Sequence, residues 1–211
     1  MANIRLVSYT PLCFTPKGKK IADQNVGFSY FYDGSIRPEP SLEQDFPGIS
    51  SLCRANKLAP TLKKDDILVY ITNKNYYGLE EKHWKLVAVL WVNQTLDNHL
   101  EAAQWYLKNG YKLPKNCVVA GNEPYSSEKS ILSKKKSKIA SNSYNIRAKD
   151  YPQYNICKPV FKNIDNPSPI FESDFFKIFG KVPGLQMPPF ITWSQLDELL
   201  QIAIVRQYEK Y

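Results

Sequence analysis

Two short runs of almost unbroken apolarity constrain this chain more than any other feature: Ile67-Leu68-Val69-Tyr70-Ile71-Thr72 and Trp84-Lys85-Leu86-Val87-Ala88-Val89-Leu90-Trp91-Val92. A strand with one wet face alternates apolar and polar residues, because successive side chains point to opposite faces. These runs do not alternate, so each must be covered on both faces. Asp65-Asp66 bounds the first and Asn73-Lys74-Asn75 follows it. Strands over 66–72 and 86–92 are expected to be antiparallel neighbours across a long hairpin, in one curved sheet or a small filled barrel.

Ile4 to Tyr9 reads as a first strand, ended by Pro11 and Pro16, since proline cannot donate to a ladder. A polar loop is expected through Lys17-Gly18-Lys19-Lys20, and an aromatic strand over Val26 to Tyr32, stopped at the turn pair Asp33-Gly34. Asp97 or Asn98 caps a helix carrying Leu100, Ala103 and Leu107 and ending at Gly110. Leu113 to Ala120 reads as an edge strand, and Ser126 to Tyr144 as a solvated loop or marginal helix. Seven of the 15 prolines fall between Tyr151 and Phe190, so regular structure there should be short, with one small helix over Glu172 to Phe179. Thr192 and Gln195 form a capping box for a final helix over 192–208, expected to pack by its Leu196, Leu200 and Ile204 side. The fold class is therefore α+β. The 211 residues are expected to form a single domain, with a core over 4–120, a basic Ser/Lys-rich segment over 126–149 and a Pro-rich C-terminal extension.

The start, Met1-Ala2-Asn3-Ile4-Arg5, has no apolar stretch of signal-peptide type, and no run reaches the length of a membrane span. Cys13, Cys53, Cys117 and Cys157 are scattered, with no C-x-x-C pair. Free thiols in a reducing, cytoplasmic setting follow, with no metal and no cofactor expected. With only His83 and His99, the chain has little material for a Ser-His-Asp or Cys-His arrangement, and both are expected at the surface or at a cap. It lacks G-x-G-x-x-G, a Walker-type loop, H-E-x-x-H and G-x-S-x-G.

The net charge is +8, and residues 126–160 hold 8 Lys and Arg against 2 Asp and Glu. That excess centres on Lys134, Lys135, Lys136 and Lys138, which are candidate phosphate contacts on a flexible arm. The neighbouring Tyr144, Tyr151 and Tyr154 are candidate stacking partners for unpaired bases.

Along Leu62-Lys63-Lys64-Asp65-Asp66-Ile67-Leu68-Val69-Tyr70, followed by Leu86 to Val92, the chain resembles the PUA-like superfamily, which includes the PUA, ASCH, EVE and YTH domains. Their shared pattern is a polar turn, usually Gly-Asp, leading into a strand and then a second apolar strand. Here Asp65 stands at the glycine position. Ser51-Leu52-Cys53-Arg54-Ala55-Asn56-Lys57, together with Ser8-Tyr9-Thr10, resembles the nucleotide-modification-associated families of that superfamily. The resemblance implies a five- or six-stranded pseudo-barrel with flanking helices and a pocket that receives one nucleotide or base. Ser8, Tyr9, Cys53, Arg54 and Lys57 match the segments that would line it, while Tyr70, Trp84 and Trp105 are stacking candidates and Trp91 a poorer one.

Three functions are compatible with these residues. The first is a nucleic-acid or nucleotide-binding protein that recognises a modified base in an aromatic-walled pocket. The second is an enzyme of the same fold that modifies or hydrolyses a modified nucleoside, with Lys57 and a nearby carboxylate as acid and base. The third is a phage or host defence component that sets its basic segment on an acidic partner.

Overall fold

The computed structural model of the chain describes residues 2–208. Seven strands and five α-helices alternate along it: β1 (Ile4–Tyr9), α1 (Pro16–Gln24), β2 (Gly48–Ile49), β3 (Ile67–Thr72), β4 (Trp84–Leu96), α2 (His99–Lys108), α3 (Lys134–Asp150), β5 (Tyr154–Lys162), β6 (Ser168–Ile170), α4 (Glu172–Phe179), β7 (Phe190–Ile191) and α5 (Trp193–Tyr208). One sheet collects all seven strands, in the order β2-β5-β4-β3-β1-β7, with β6 on β4. The sheet is open, with β2 and β7 at its edges.

The two apolar runs are central neighbours. β3 pairs antiparallel with β4, Leu68 opposite Leu90 and Val69 opposite Val89. β4 is long enough to hold two partners on its other side, β6 at Trp84–Leu86 and β5 from Ala88 to Leu96. The register slips at Tyr70/Ile71, Val89/Leu90 and Val92/Gln94. Bulges of this kind bend a strand and increase its twist, which curves the sheet. β1 instead pairs parallel with β3, Ile4 opposite Ile67 through Tyr9 opposite Thr72.

Both faces are buried, as the missing alternation requires. Val7, Tyr9, Leu68, Tyr70, Leu90 and Val92 face a layer formed by Phe31, Leu42, Leu58, Ala59 and Leu62 from the connection between β1 and β3. Ile4, Leu6, Ile67, Val69, Ile71 and Leu86 face Phe175 and Ile178 of α4 and Leu196, Leu199 and Ala203 of α5. Each such aliphatic side chain withdrawn from water stabilises the fold by about 1.5–3 kcal/mol. The two helices are clamped by Arg206, whose guanidinium donates to both carboxylate oxygens of Asp174, at 2.5 and 2.9 Å.

The turn before β3 explains how aspartate replaces the expected glycine. Asp65 has φ +75°, a left-handed conformation that Asp tolerates better than most residues. Asp66 is buried and its carboxylate accepts the Asn3 N–H at 2.9 Å and the Lys63 N–H at 3.0 Å, tying the turn to the start of β1.

Several expectations are corrected. Residues 26–32 form no strand: the Tyr30 and Tyr32 carbonyls accept from Cys13 and Leu12, and Phe28 packs on Tyr32 and Tyr125. Residues 113–120 are irregular, because the Asn122 amide, rather than a ladder, satisfies the Pro114 and Cys117 carbonyls. The polar stretch 17–20 is helical. Thr15 caps α1 by accepting from Gly18, and a Cβ at Gly18 would lie 1.8 Å from the Leu12 carbonyl oxygen, so only glycine lets that turn close. The basic segment is not a flexible arm but the 17-residue α3, capped by Ser133. In α2, Tyr106 and Ala102 are buried with Ala103, while Leu100 and Leu107 are exposed. α5 packs by Leu196, Leu199 and Ala203, and Ile204 is 46% exposed.

The α5 contact gives a direct test. Leu199→Ala should lower the unfolding free energy by about 2–5 kcal/mol in urea titration. Ile204→Ala, on the wet side, should stay within about 0.5 kcal/mol.

Candidate functional site

The parallel pairing of β1 and β3 brings their carboxyl ends together, and a cleft of about 220 Å³ opens there. Its floor is Val7 to Tyr9 of β1 and the following Thr10, with Tyr70 and Asn73 from β3 and its exit. Its walls come from the connection between the strands: Asp33, Glu39, Cys53, Arg54 and Leu58. Ser8, Tyr9, Cys53, Arg54 and Tyr70, singled out in the sequence, therefore line one cavity although 62 positions separate the first from the last.

Arg54 fixes the rim. Its Nη2 donates to the Ser8 carbonyl at 2.6 Å, and its Nη1 donates to the Leu185 and Gln186 carbonyls at 3.3 and 3.0 Å. One guanidinium thus joins β1, the wall and the segment between α4 and β7. Nη2 also reaches the Ser8 hydroxyl at 3.5 Å, so the four Nη N–H groups have acceptors and Nε–H is the donor left over. Tyr9 and Tyr70 meet edge to face at 6.2 Å, and the Tyr9 hydroxyl donates to the Phe31 carbonyl at 2.6 Å. Asn73 donates to the Thr10 hydroxyl at 2.8 Å.

The wall carries two carboxyl groups. Glu39 is 6% exposed, and it accepts from the Ser50 N–H at 3.0 Å, the Ser50 hydroxyl and the Cys53 N–H at 3.3 Å. Burial, with a contribution from the Asp33 charge, raises its pKa to about 7 against those hydrogen bonds. Asp33, 8% exposed, accepts from the Ser35 N–H at 2.9 Å and is raised to about 6 by burial. Near neutrality Glu39 therefore exchanges between an acceptor-only carboxylate and a carboxylic acid that also donates. Cys53 is exposed at the rim, yet crowding at the cleft wall, and then the Glu39 and Asp33 charges, hold its thiol above the ordinary range.

Other sequence candidates lie elsewhere. Lys57 is exposed on the turn of 55–57 and does not line the cleft. Trp84 is 5% exposed in the opposite core, against Phe175 at 4.7 Å, and is no wall of this cavity. Trp105, on α2, stacks on Tyr111 beside Phe46. Trp91 is partly buried at the edge of the second core and donates to Asp65. Lys134, Lys135, Lys136 and Lys138 are exposed on the first turns of α3. Tyr144 and Tyr154 are buried, Tyr144 against Ile36 and Leu52, and neither offers a stacking face. His83 and His99 are buried rather than superficial, and His99 accepts from the Val118 N–H at 3.0 Å.

Asp33, Glu39 and Asn73 are not singled out as site residues in the sequence, and Thr10 is named there in the Ser8-Tyr9-Thr10 motif but not as a lining residue. Asp33 reads as half of a turn pair and Glu39 as one charge among prolines, and neither spacing points at the strand ends. Among the described residues no group of three His, Cys, Asp or Glu side chains is placed to hold a metal ion, and no helix is long and apolar enough to cross a membrane.

No protein-family model matches the chain, and no curated protein matches it. Its structure is similar to the crystal structure of ASCH from Zymomonas mobilis, with 7% sequence identity over 94% of each chain and a TM-score of 0.41.

The raised acid makes a pH-dependent prediction. Glu39 keeps its proton in the folded protein up to about pH 7, whereas the unfolded chain loses it near pH 4.5. Folding takes up a proton in that window, so this group's contribution to stability falls as pH rises through it. His99, lowered to about 4 by burial, works in the opposite sense, so the comparison must isolate Glu39. Glu39→Gln should therefore cost less stability at pH 8 than at pH 5 in urea denaturation, and equal costs would place the Glu39 pKa in the ordinary range.

Proposed function

We propose that this chain is a PUA-like nucleic-acid or nucleotide-binding protein whose cleft receives a single base, a modified one included. The observation that carries the reading is the combination in one small cavity of the Arg54 guanidinium, the Asp33 and Glu39 carboxyl groups and, in the floor, the buried Tyr9–Tyr70 pair. A base presents donors and acceptors along one edge and a flat π face. Arg54 can donate to an acceptor, Glu39 and Asp33 can accept from an exocyclic amine, and Glu39 in its acid form can also donate. A cleft of about 220 Å³ is below the usual size of drug-sized pockets, which suits one heterocycle rather than a dinucleotide. Modification at a base edge changes those donors and acceptors, so this lining is chemically able to discriminate.

Phosphates have a separate place to sit. Lys134, Lys135, Lys136 and Lys138 cluster at the N-terminal end of α3, which has no acidic residue in its first turn. The lysines and the positive end of the helix dipole add in sign, favouring an anion over solvent. α3 is anchored to the cleft wall: Tyr144 packs on Ile36 and Leu52, and Arg147 donates to the Leu52 carbonyl. A strand held along α3 would therefore lie on an element fixed to the segment that carries Cys53 and Arg54.

A second reading is favoured by the two carboxyl groups with raised pKa values. Such pairs suit general acid–base work, and an enzyme of the same fold would use Glu39 to move a proton during hydrolysis of a modified nucleoside. Incubation of candidate nucleosides with the protein, followed by mass spectrometry, separates turnover from binding.

Titration against nucleotides and short oligonucleotides with natural and modified bases tests the main reading. Saturable binding to at least one base is expected, and Glu39→Gln should change the preference between bases by about 1–3 kcal/mol. Equal binding across the panel by parent and variant would overturn it. Converting the four α3 lysines to Gln should weaken oligonucleotide binding alike for all sequences and flatten its dependence on salt. An unchanged slope would leave those lysines as a solvated surface.

A further inference from the structure

A second cavity, of about 350 Å³, shares no lining residue with the cleft. Cys13, Lys19, Tyr30, Phe31, Tyr77 and Lys85 are among the residues around it. Lys85 is the unusual one. It lies in β4 between Trp84 and Leu86, whose side chains join the core under α4 and α5, so alternation turns Lys85 to the opposite face. It is 7% exposed. Among the described residues its ammonium makes no hydrogen bond and no ion pair. The stem of Lys85 is buried while the ammonium at its tip reaches the solvent of the cavity, where no described acceptor meets it.

The surroundings do not supply the missing charge. Burial lowers the Lys85 pKa, and the one group opposing that is Cys13. Cys13 is itself raised to about 12 by burial and so remains a neutral thiol near pH 7. Asp23 also lines the cavity, but its carboxylate accepts from the Tyr30 hydroxyl. Lys19 adds a second cation at the mouth. Two lysines against one engaged carboxylate leave a formal excess of one positive charge, enclosed by aromatic walls.

We propose that this cavity binds a small organic carboxylate with a flat apolar body, its charge against Lys85 and Lys19 and its body against Tyr30, Phe31 and Tyr77. A monoanion matches the excess charge. A phosphate dianion would exceed the single excess positive charge, and the aromatic lining favours a ligand that carries carbon as well as charge. The site is independent of base recognition in the cleft.

Phenylacetate and its neutral counterpart phenylacetamide are suitable probes, titrated into the ¹⁵N-labelled full chain and followed by NMR. Phenylacetate should give saturable shifts at the Phe31, Gly78 and Lys85 amides, and phenylacetamide should bind at least about tenfold more weakly. Lys85→Met, which keeps the buried stem and removes the charge, should bring the two probes to similar affinity. If that variant does not fold, Lys19→Gln, altered at an exposed position, should weaken phenylacetate and leave phenylacetamide unchanged. Equal affinity of the two probes for the parent overturns the proposal. Absence of saturable shifts, or shifts confined to the α3 lysines or to Ser8 and Arg54, does the same.

Discussion

The parallel pairing of β1 with β3 is the constraint on which the rest of the molecule depends. Antiparallel neighbours can be joined by a tight turn, but parallel ones need a long crossover to bring the chain back to the same end. Here residues 10–66 make that return. Because they must recross the sheet, they cover one of its faces, and Leu42, Leu58, Ala59 and Leu62 supply the apolar layer that β3 and β4 require. The same crossover delivers Asp33, Glu39, Cys53 and Arg54 to the carboxyl ends of the two strands. Core and cleft are thus two consequences of one topological requirement.

Charge is grouped differently at the surface and in the interior. The surface excess of lysine collects on α3, where water and salt screen it. The interior beneath the crossover holds acids as well as the buried side chains of Arg37 and Lys85. Asp33, Glu39 and Glu43 are all raised by burial, and the Asp33 charge raises the other two further. Hydrogen bonds from Ser35, Ser50 and Cys53 hold the first two carboxyl groups in place at the wall. Arg54 spends its fork on backbone carbonyls rather than on these acids, so the wall is not internally neutralised by an ion pair. Groups arranged this way retain interaction capacity for something that enters the cleft.

The segment 26–33 stands between the two cavities and shows why aromatic composition misleads. Phe28, Tyr30, Phe31 and Tyr32 have strand-forming side chains, yet they pack ring against ring and against the core while their carbonyls serve the 12–14 turn. Phe31 lines the second cavity, and its carbonyl receives the Tyr9 hydroxyl from the cleft floor. Packing value, and not ladder formation, explains these residues.

Local physics determined much of the fold directly from the sequence. The unbroken apolarity of 67–72 and 84–92 required two covered faces, the Ile4–Tyr9 strand ended before its prolines, and Thr192 with Gln195 set the start of α5, each N–H meeting its partner side chain at 2.9 and 3.2 Å. At the turn before β3 the sequence showed only that Asp65 stands where glycine is usual, and its left-handed backbone was supplied by the fold. Ser8, Tyr9, Cys53, Arg54 and Tyr70 were visible as candidates, but not the acids that face them. Tertiary structure alone decided which side of α5 is buried, that 134–150 docks as a helix through Tyr144, and that Asp33 and Glu39 reach the ends of β1 and β3. The physical reason is range. Caps, turns and strand periodicity act over a few residues, whereas burial, pKa and cavity lining are set by groups distant in sequence that only the folded sheet and its crossover bring together.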